Sequence, residues 1–284
     1  MDKHAIKSRR LRRFIKNRLA VIGLAIVTLI ILLAVLAPLI APYNPLQHDY
    51  DELLLSPSFE HLMGTDDLGR DIFSRVIYGT RYALLIGVAV VVLELLIGAS
   101  LGFIAGYFGG GLETVIMRGV DTVLAIPTLI LAIAIAGAFG GGLWVMIIAI
   151  AVAGWGEFTR LVRAQVLSLK ELTYVEAARA IGAGQARIIF NHIVPNSMGP
   201  VLVYTTLYMP TAILWSAALS FLGLGAQPPT PEWGAIIADG RAFISYAWWI
   251  ATFPGLAIMV TTLGFNFVGD GLRDALDPKF ERRT

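Results

Sequence analysis

The hydrophobic positions of this chain fall in long unbroken runs. They do not form the spaced stripes of a soluble helix or the alternation of a half-buried strand. About six such runs, of roughly twenty apolar residues each, lie near 18–42, 80–107, 114–138, 143–165, 199–222 and 248–269. A run of that length crosses a bilayer as a helix, because a helix satisfies its own backbone groups in hydrocarbon. The pattern predicts an all-α integral membrane protein with about six transmembrane helices. It divides the chain into a basic tail (1–17), a first helix (18–42), a long polar segment (43–79), a five-helix core (80–270) with a polar loop at 166–198, and a second tail (271–284).

Composition agrees with that reading. The 284 residues are 57% hydrophobic and 15% charged, with mean hydropathy +0.73, where soluble domains carry about 25% charged residues. The net charge of +2 is too small to imply a nucleic-acid partner. With no cysteine, disulfide and thiol chemistry are excluded.

Charge placement sets an expected topology. Lys7, Arg9, Arg10, Arg12, Arg13, Lys16 and Arg18 precede the first run and should stay in the cytoplasm. The apolar stretch Leu19–Ala41 exceeds the core of about 7–15 residues in a cleaved signal peptide, so it reads as a retained helix. An even number of spans returns both termini to the cytoplasm. Loop 166–198 falls on that side with Lys170, Arg179 and Arg187, after Arg160 and Arg163. The final tail is basic too, with Lys279, Arg282 and Arg283. Segment 43–79 falls outside and carries Asp49, Asp51, Glu52, Glu60, Asp66, Asp67 and Asp71.

The inner loop has the sharpest local signature. Thr173 and Glu176 have capping-box spacing at a helix start. Gly182 can take the left-handed conformation that ends a helix. About two turns lie between them, and Ala177, Ala178 and Ala180 leave that helix thin enough for a close partner. The run Glu176-Ala177-Ala178, three residues, Gly182, then Pro195 resembles the cytoplasmic "EAA" loop of permease subunits in bacterial ATP-binding-cassette (ABC) importers. His192 and Val194 stand where that pattern has isoleucine and leucine.

A subfamily resemblance comes from the outer segment and the later spans. Gly64-Thr65-Asp66, Gly69-Arg70-Asp71, Gly106-Tyr-Phe-Gly-Gly, Phe221-Leu-Gly-Leu-Gly225 and Pro231-Glu-Trp-Gly234 look like the dipeptide, oligopeptide and nickel permeases, closest to their C-type subunit. The resemblance implies a type I importer permease fold, N-in and C-in, with a coupling helix formed around Thr173, Glu176, Ala177, Ala178, Arg179, Ala180 and Gly182. It also implies a second, unlike permease, two cytoplasmic ATPases that bind ATP and magnesium, and an extracytoplasmic substrate-binding protein. Asp66, Asp67, Arg70 and Asp71 are candidates for docking that binding protein. Read as local structure, Asp66 or Asp67 can cap a helix entering the second span. Their spacing is wrong for a calcium loop.

Within the spans, Gly98, Gly102 and Gly106 recur every four residues and make a groove for another helix. Glu94 lies one turn before them on the same side. A charged carboxylate at that depth costs about 2.5–3.5 kcal/mol on insertion scales, so it is either functional or a packing acid. Arg118 and Asp121, three apart, can pair on one helix face. Pro127 and Pro210 should weaken their helices locally. Ala212, Ser216 and Ser220 form a small-residue stripe suited to a subunit or pore face. Tyr246, Trp248 and Trp249 resemble an interfacial belt.

No phosphate-binding Gly-rich loop, metal spacing or nucleophile motif occurs, and the histidines at 4, 48, 61 and 192 do not cluster. The chain is therefore expected to be no enzyme, to bind no metal or cofactor itself, and to leave ATP hydrolysis to partners. Peptide import leads. Nickel-chelate import is the nearest alternative, and an ion-coupled secondary transporter using Glu94 is a more distant one. A non-transporting scaffold would not need kinked, glycine-lined spans.

Overall fold

The computed structural model describes residues 11–276. The tail residues His4, Lys7, Arg9, Arg10, Lys279, Arg282 and Arg283 lie outside the described residues. Residues 11–16 are helical. Asn17 then interrupts the helix, and its side chain accepts from the Leu19 and Ala20 amides to start α1, Arg18–Ile40. Helix α2 is Ile72–Phe108, α3 Gly110–Leu124, α4 Thr128–Ala138, α5 Leu143–Lys170 and α6 Thr173–Ala180. Then come the single turn α7 (Gln185–Ile188), a π turn at Ile189–Ile193, α8 (Val194–Phe221), α9 (Trp233–Gly240) and α10 (Trp249–Leu276). Among the described residues, five helices are long and apolar enough to cross a membrane, or six if the bent pair α3–α4 is one span.

Helix α2 starts earlier than position 80. Its 37 residues make about 55 Å of helix, well beyond a hydrocarbon core of about 30 Å. The apolar run marks only the lipid-depth part. The first two turns are buried by protein, with Ser74, Arg75 and Thr80 all inaccessible. Asp71 caps the helix, its Oδ2 accepting the Ser74 N–H at 2.7 Å. The expected cap at Asp66 or Asp67 is therefore wrong, because Asp66 is engaged by two arginines.

The third run is broken. Helices α3 and α4 meet at 86° around Pro127, which has no N–H to continue the ladder. Helix α8, in contrast, continues through Pro200 and Pro210. The central contact joins α2 to α5. A Cβ added at Gly98 would lie 2.5 Å from Phe158 Cβ, one at Gly102 2.8 Å from the Thr159 carbonyl, and one at Gly106 2.8 Å from Val166 Cβ. The glycine stripe thus lets α5 approach α2 within the same chain.

The stripe Ala212, Ser216 and Ser220 is buried inside the chain and presents no subunit or pore face. Ser220 Oγ accepts the Ala226 amide at 3.2 Å, pinning the turn after α8. Trp249 departs from the expected belt as well. It is buried and donates to the Thr65 carbonyl at 3.0 Å, leaving Tyr246 and Trp248 exposed. Trp233 donates to the Val76 carbonyl at 3.0 Å. These two indoles clamp the polar end formed by residues 41–71 and 222–248 onto the top of α2. Loop 171–193 lies at the opposite end of the bundle.

Candidate functional site

Loop 171–193 is built as an attached but projecting helix. Leu172 is the cap residue of α6, and the cap has no side-chain hydrogen bond. The capping box at Thr173 and Glu176 does not form. The helix begins one residue earlier than the box requires, and the Leu172 carbonyl accepts the Val175 and Glu176 amides at 2.8 and 3.3 Å. The far end is closed by Gly182, at φ 82°. The Gly182 and Ala183 amides donate to the Arg179 and Ala178 carbonyls at 2.9 and 3.0 Å, the pairing of a Schellman motif.

Helix α6 has two faces. Val175 and Ala178, three apart, are buried against Val162 and Val166 of α5, Ile188, Ile193 and Val201. That cluster ties α6 to both α5 and α8. Thr173, Glu176, Ala177, Arg179, Ala180 and Gly182 are exposed. Ile181 and Phe190 beside them are 86% and 68% exposed. They are the most exposed large apolar side chains of loop 171–193. Sequence reasoning missed both, since an isoleucine after a helix and a phenylalanine before a span read as ordinary apolar residues.

At the opposite end, the outer motif is a charge network rather than a surface. Asp66 Oδ2 accepts from Arg70 Nε and Arg75 Nη1, each at 2.7 Å. Its Oδ1 accepts the Leu68 and Arg70 amides at 2.9 Å. Asp239 of α9 lies 3.6 and 3.7 Å from the same guanidinium groups. Burial pushes the Asp239 carboxyl up, against the pull of Arg75 and Arg70. Asp66, Arg70 and Asp71 are buried, so they cannot be the docking contacts expected of them; Asp67 is only half-buried. They hold the segment that presents a surface.

His61 completes this clamp. Its Nδ1 lies 2.9 Å from Asp71 Oδ1 and its Nε2 2.8 Å from Glu52 Oε2, with Tyr43 stacked at 4.8 Å. Burial alone would lower the imidazole pKa, but hydrogen bonds to Asp71 and Glu52 outweigh it and raise the value above 6.5. A histidine whose folded pKa is raised stabilises fully below the unfolded value and loses that contribution as pH rises through the folded one. We expect residues 41–71 to be cleaved several-fold faster at about pH 9 than at about pH 6, rates being normalised to an unfolded substrate. His61→Leu should be cut at one rate at both. A wild-type rate that does not change with pH would remove His61 from the clamp.

The intramembrane polar residues are rearranged. Arg118 is exposed, and Asp121 pairs across helices with Arg160 at 2.9 Å instead. Arg118 and Asp121 share a face, but the guanidinium of α5 is nearer. That pair is exposed on both sides and contributes at most about 1 kcal/mol. Glu113, which was not singled out, binds Arg163. Glu94 is fully buried between α2, α5 and α8, against Gly154 and Tyr208. No group of three or more possible metal ligands occurs among the described residues.

A bundle of apolar helices with an exposed thin helix at one end and an ion-clamped segment at the other defines a polytopic membrane protein. The chain belongs to the family of binding-protein-dependent transport system inner membrane components, whose model matches residues 98–282. Residues 8–57 match the N-terminal TM domain of oligopeptide transport permease C. Among its relatives, the dipeptide transport system permease protein DppC of Alkalihalophilus pseudofirmus is 50% identical over 266 residues, covering 94% of this chain and 88% of that one. The di/tripeptide transport system permease protein DppC of Pseudomonas aeruginosa is 46% identical over 274 residues, covering 94% and 90%. A solved structure of an inward-facing MetNI methionine ABC transporter aligns with TM-score 0.60 at 19% identity, over 72% of this chain and 98% of that one. That likeness is one of fold.

Proposed function

We propose that this chain is the C-type permease of an ATP-driven importer of di- and oligopeptides. It would form half of the translocation path beside a second, unlike permease. The observation that carries the reading is the projecting helix Thr173–Ala180, closed at Gly182 and flanked by exposed Ile181 and Phe190. In this reading α6 seats in one of two cytoplasmic ATPases, which bind ATP and magnesium and do the hydrolysis. Because Val175 and Ala178 join α6 to α5 and α8, movement of an ATPase would tilt both helices together. The relatives' names, dipeptide and di/tripeptide, support peptide over nickel chelate. Both termini would be cytoplasmic, in the inner membrane of a bacterium. The segment 43–71, with Phe59 fully exposed and Leu62 largely so, would receive the substrate-binding protein outside.

Co-purification from the native host in mild detergent tests the whole reading. A second permease and two ATPases should accompany the chain, and a peptide-loaded binding protein should stimulate ATP hydrolysis. The double variant Ile181→Asp, Phe190→Asp should insert at normal levels and lose the ATPases, with uptake below about a tenth of normal. Full uptake by that variant would place the ATPase contact elsewhere. A chain that works alone in proteoliposomes without ATP would overturn the importer reading.

A further inference from the structure

Four polar side chains meet at mid-depth of the bundle, and two of them, Glu94 and Tyr208, form no hydrogen bond of ordinary geometry. Glu94 is fully buried, and neither carboxylate oxygen has a hydrogen-bond partner. Tyr208 of α8 is 5% exposed, and its hydroxyl is unpartnered as well. Both groups face the bare backbone of Gly154 on α5, where an added Cβ would collide with Glu94 Oε1 and lie 2.7 Å from the Tyr208 hydroxyl. One turn further along α5, half-buried Glu157 accepts the Tyr204 hydroxyl at 2.5 Å. The α8 tyrosines stack at 5.7 Å, and Phe158 stands edge-on to them at 4.7 and 5.5 Å.

Tyr204, which holds Glu157, is where this cluster meets an open face. A groove of about 480 Å³ runs from Tyr204 along Leu161, Gln165, Pro200 and Val203 to Arg273 of α10. A half-exposed carboxylate at this depth faces water or protein rather than lipid. Tyr204 therefore joins the carboxylates and rings of the cluster to an open groove.

Carboxylates set among aromatic rings suit a cation that supplies donors. An ammonium group brings three N–H donors and is attracted to aromatic faces. A hard divalent ion takes about six or more oxygens, and the two carboxylates stand among rings instead. Arg273 lines the groove that Tyr204 borders, so a zwitterion there would have Arg273 for its carboxylate and the Tyr204-bound Glu157 for its ammonium group. We propose that Glu157 and Tyr204, backed by Glu94 and Tyr208, form a transit subsite for the ammonium group of a peptide, an inference that rests on the peptide-permease reading.

The test uses the purified permease–ATPase complex without its binding protein, with saturation-transfer NMR reporting weak binding. The probes are Ala-Ala, N-acetyl-Ala-Ala, Lys-Ala and N-acetyl-Lys-Ala, with methylammonium chloride as competitor. Ala-Ala should bind, and methylammonium should displace it. N-acetyl-Ala-Ala should give a signal about tenfold weaker, and so should Ala-Ala on Glu157→Gln, which keeps an acceptor for Tyr204 and loses the charge. Retained binding of N-acetyl-Lys-Ala would assign the contact to a side-chain ammonium, and its loss to the N-terminal one. Equal binding of free and acetylated Ala-Ala, unchanged binding to Glu157→Gln, or no binding of Ala-Ala at all would overturn the subsite. If the variant fails to assemble, the wild-type comparison of free and acetylated peptide still decides. ATP-dependent Ala-Ala uptake with the binding protein added is measured in parallel. Uptake without the subsite signature removes only the subsite, whereas no uptake removes the peptide reading itself.

Discussion

Gly102→Leu should leave no more than about a tenth of the normal amount of this protein in the membrane, because a chain that cannot seat α2 on α5 is cleared as unfolded. The physical reason lies in what surrounds the missing side chain. A Cβ at 102 would lie 2.8 Å from the Thr159 carbonyl, 2.8 Å from Val162 Cβ and 3.1 Å from the Arg163 amide. Two of those three atoms are backbone, so no rotamer change relieves the clash and α5 itself must move. Overpacking of this kind typically costs about 1–3 kcal/mol, and more where backbone must shift. Moving α5 would also disturb the Arg163–Glu113 pair and the Lys170 ammonium, which donates to the Gly106 carbonyl at 3.0 Å. Gly119 of α3 has nothing within 4 Å, so Gly119→Leu serves as the control and should accumulate normally. Quantitative immunoblots of the membrane fraction decide the matter. Equal amounts of the two variants would mean that the helix pair can separate without cost.

The long-range plan of this molecule was legible in its sequence, and the local chemistry of its ends was legible only in part. Apolar runs report how much chain sits in lipid, but not where a helix begins in protein. A helix entering the second span is readable, but its start at Asp71 is not: Ser74 and Arg75 of its first turns meet residues 41–71 and 222–248, which a single segment cannot reveal. A missing N–H marks Pro127 and Pro210 alike as weak points, yet only Pro127 breaks its span, and α8 runs on through Pro210. The capping errors have a common origin. Thr173 and Asp66 both have the right chemistry for a cap, yet a cap requires the helix to start there, and a carboxylate beside Arg70 and Arg75 has stronger partners. Asp121 shows the same competition, choosing Arg160 across helices over Arg118 on its own. Glu157 and Tyr204 went unnoticed because they come from segments 47 apart in sequence. Nothing local in either segment announces that they meet.

The same competition predicts the largest effect at the outer end. Asp66→Ala should lower the stability of the folded segment by about 3–5 kcal/mol, the range for removing one partner of a buried ion pair. Arg70 and Arg75 are 3% and 1% exposed and share the Asp66 oxygen at 2.7 Å. Asp239, at 3.6 and 3.7 Å and a third exposed, is too loosely placed to replace it. Arg75 Nε already lacks a partner, so the guanidinium pair has no slack to absorb a second loss. The variant would also free the Leu68 and Arg70 amides that Oδ1 accepts at 2.9 Å, opening the turn that leads to the Asp71 cap. Asp67, one residue on and only half-buried, provides the comparison. Thermal unfolding of the detergent-solubilised complex should show Asp66→Ala melting well below both wild type and Asp67→Ala. If the two alanine variants melt together, the arginines are being compensated by solvent, and the network is a surface feature rather than the clamp that holds residues 41–71 on α2.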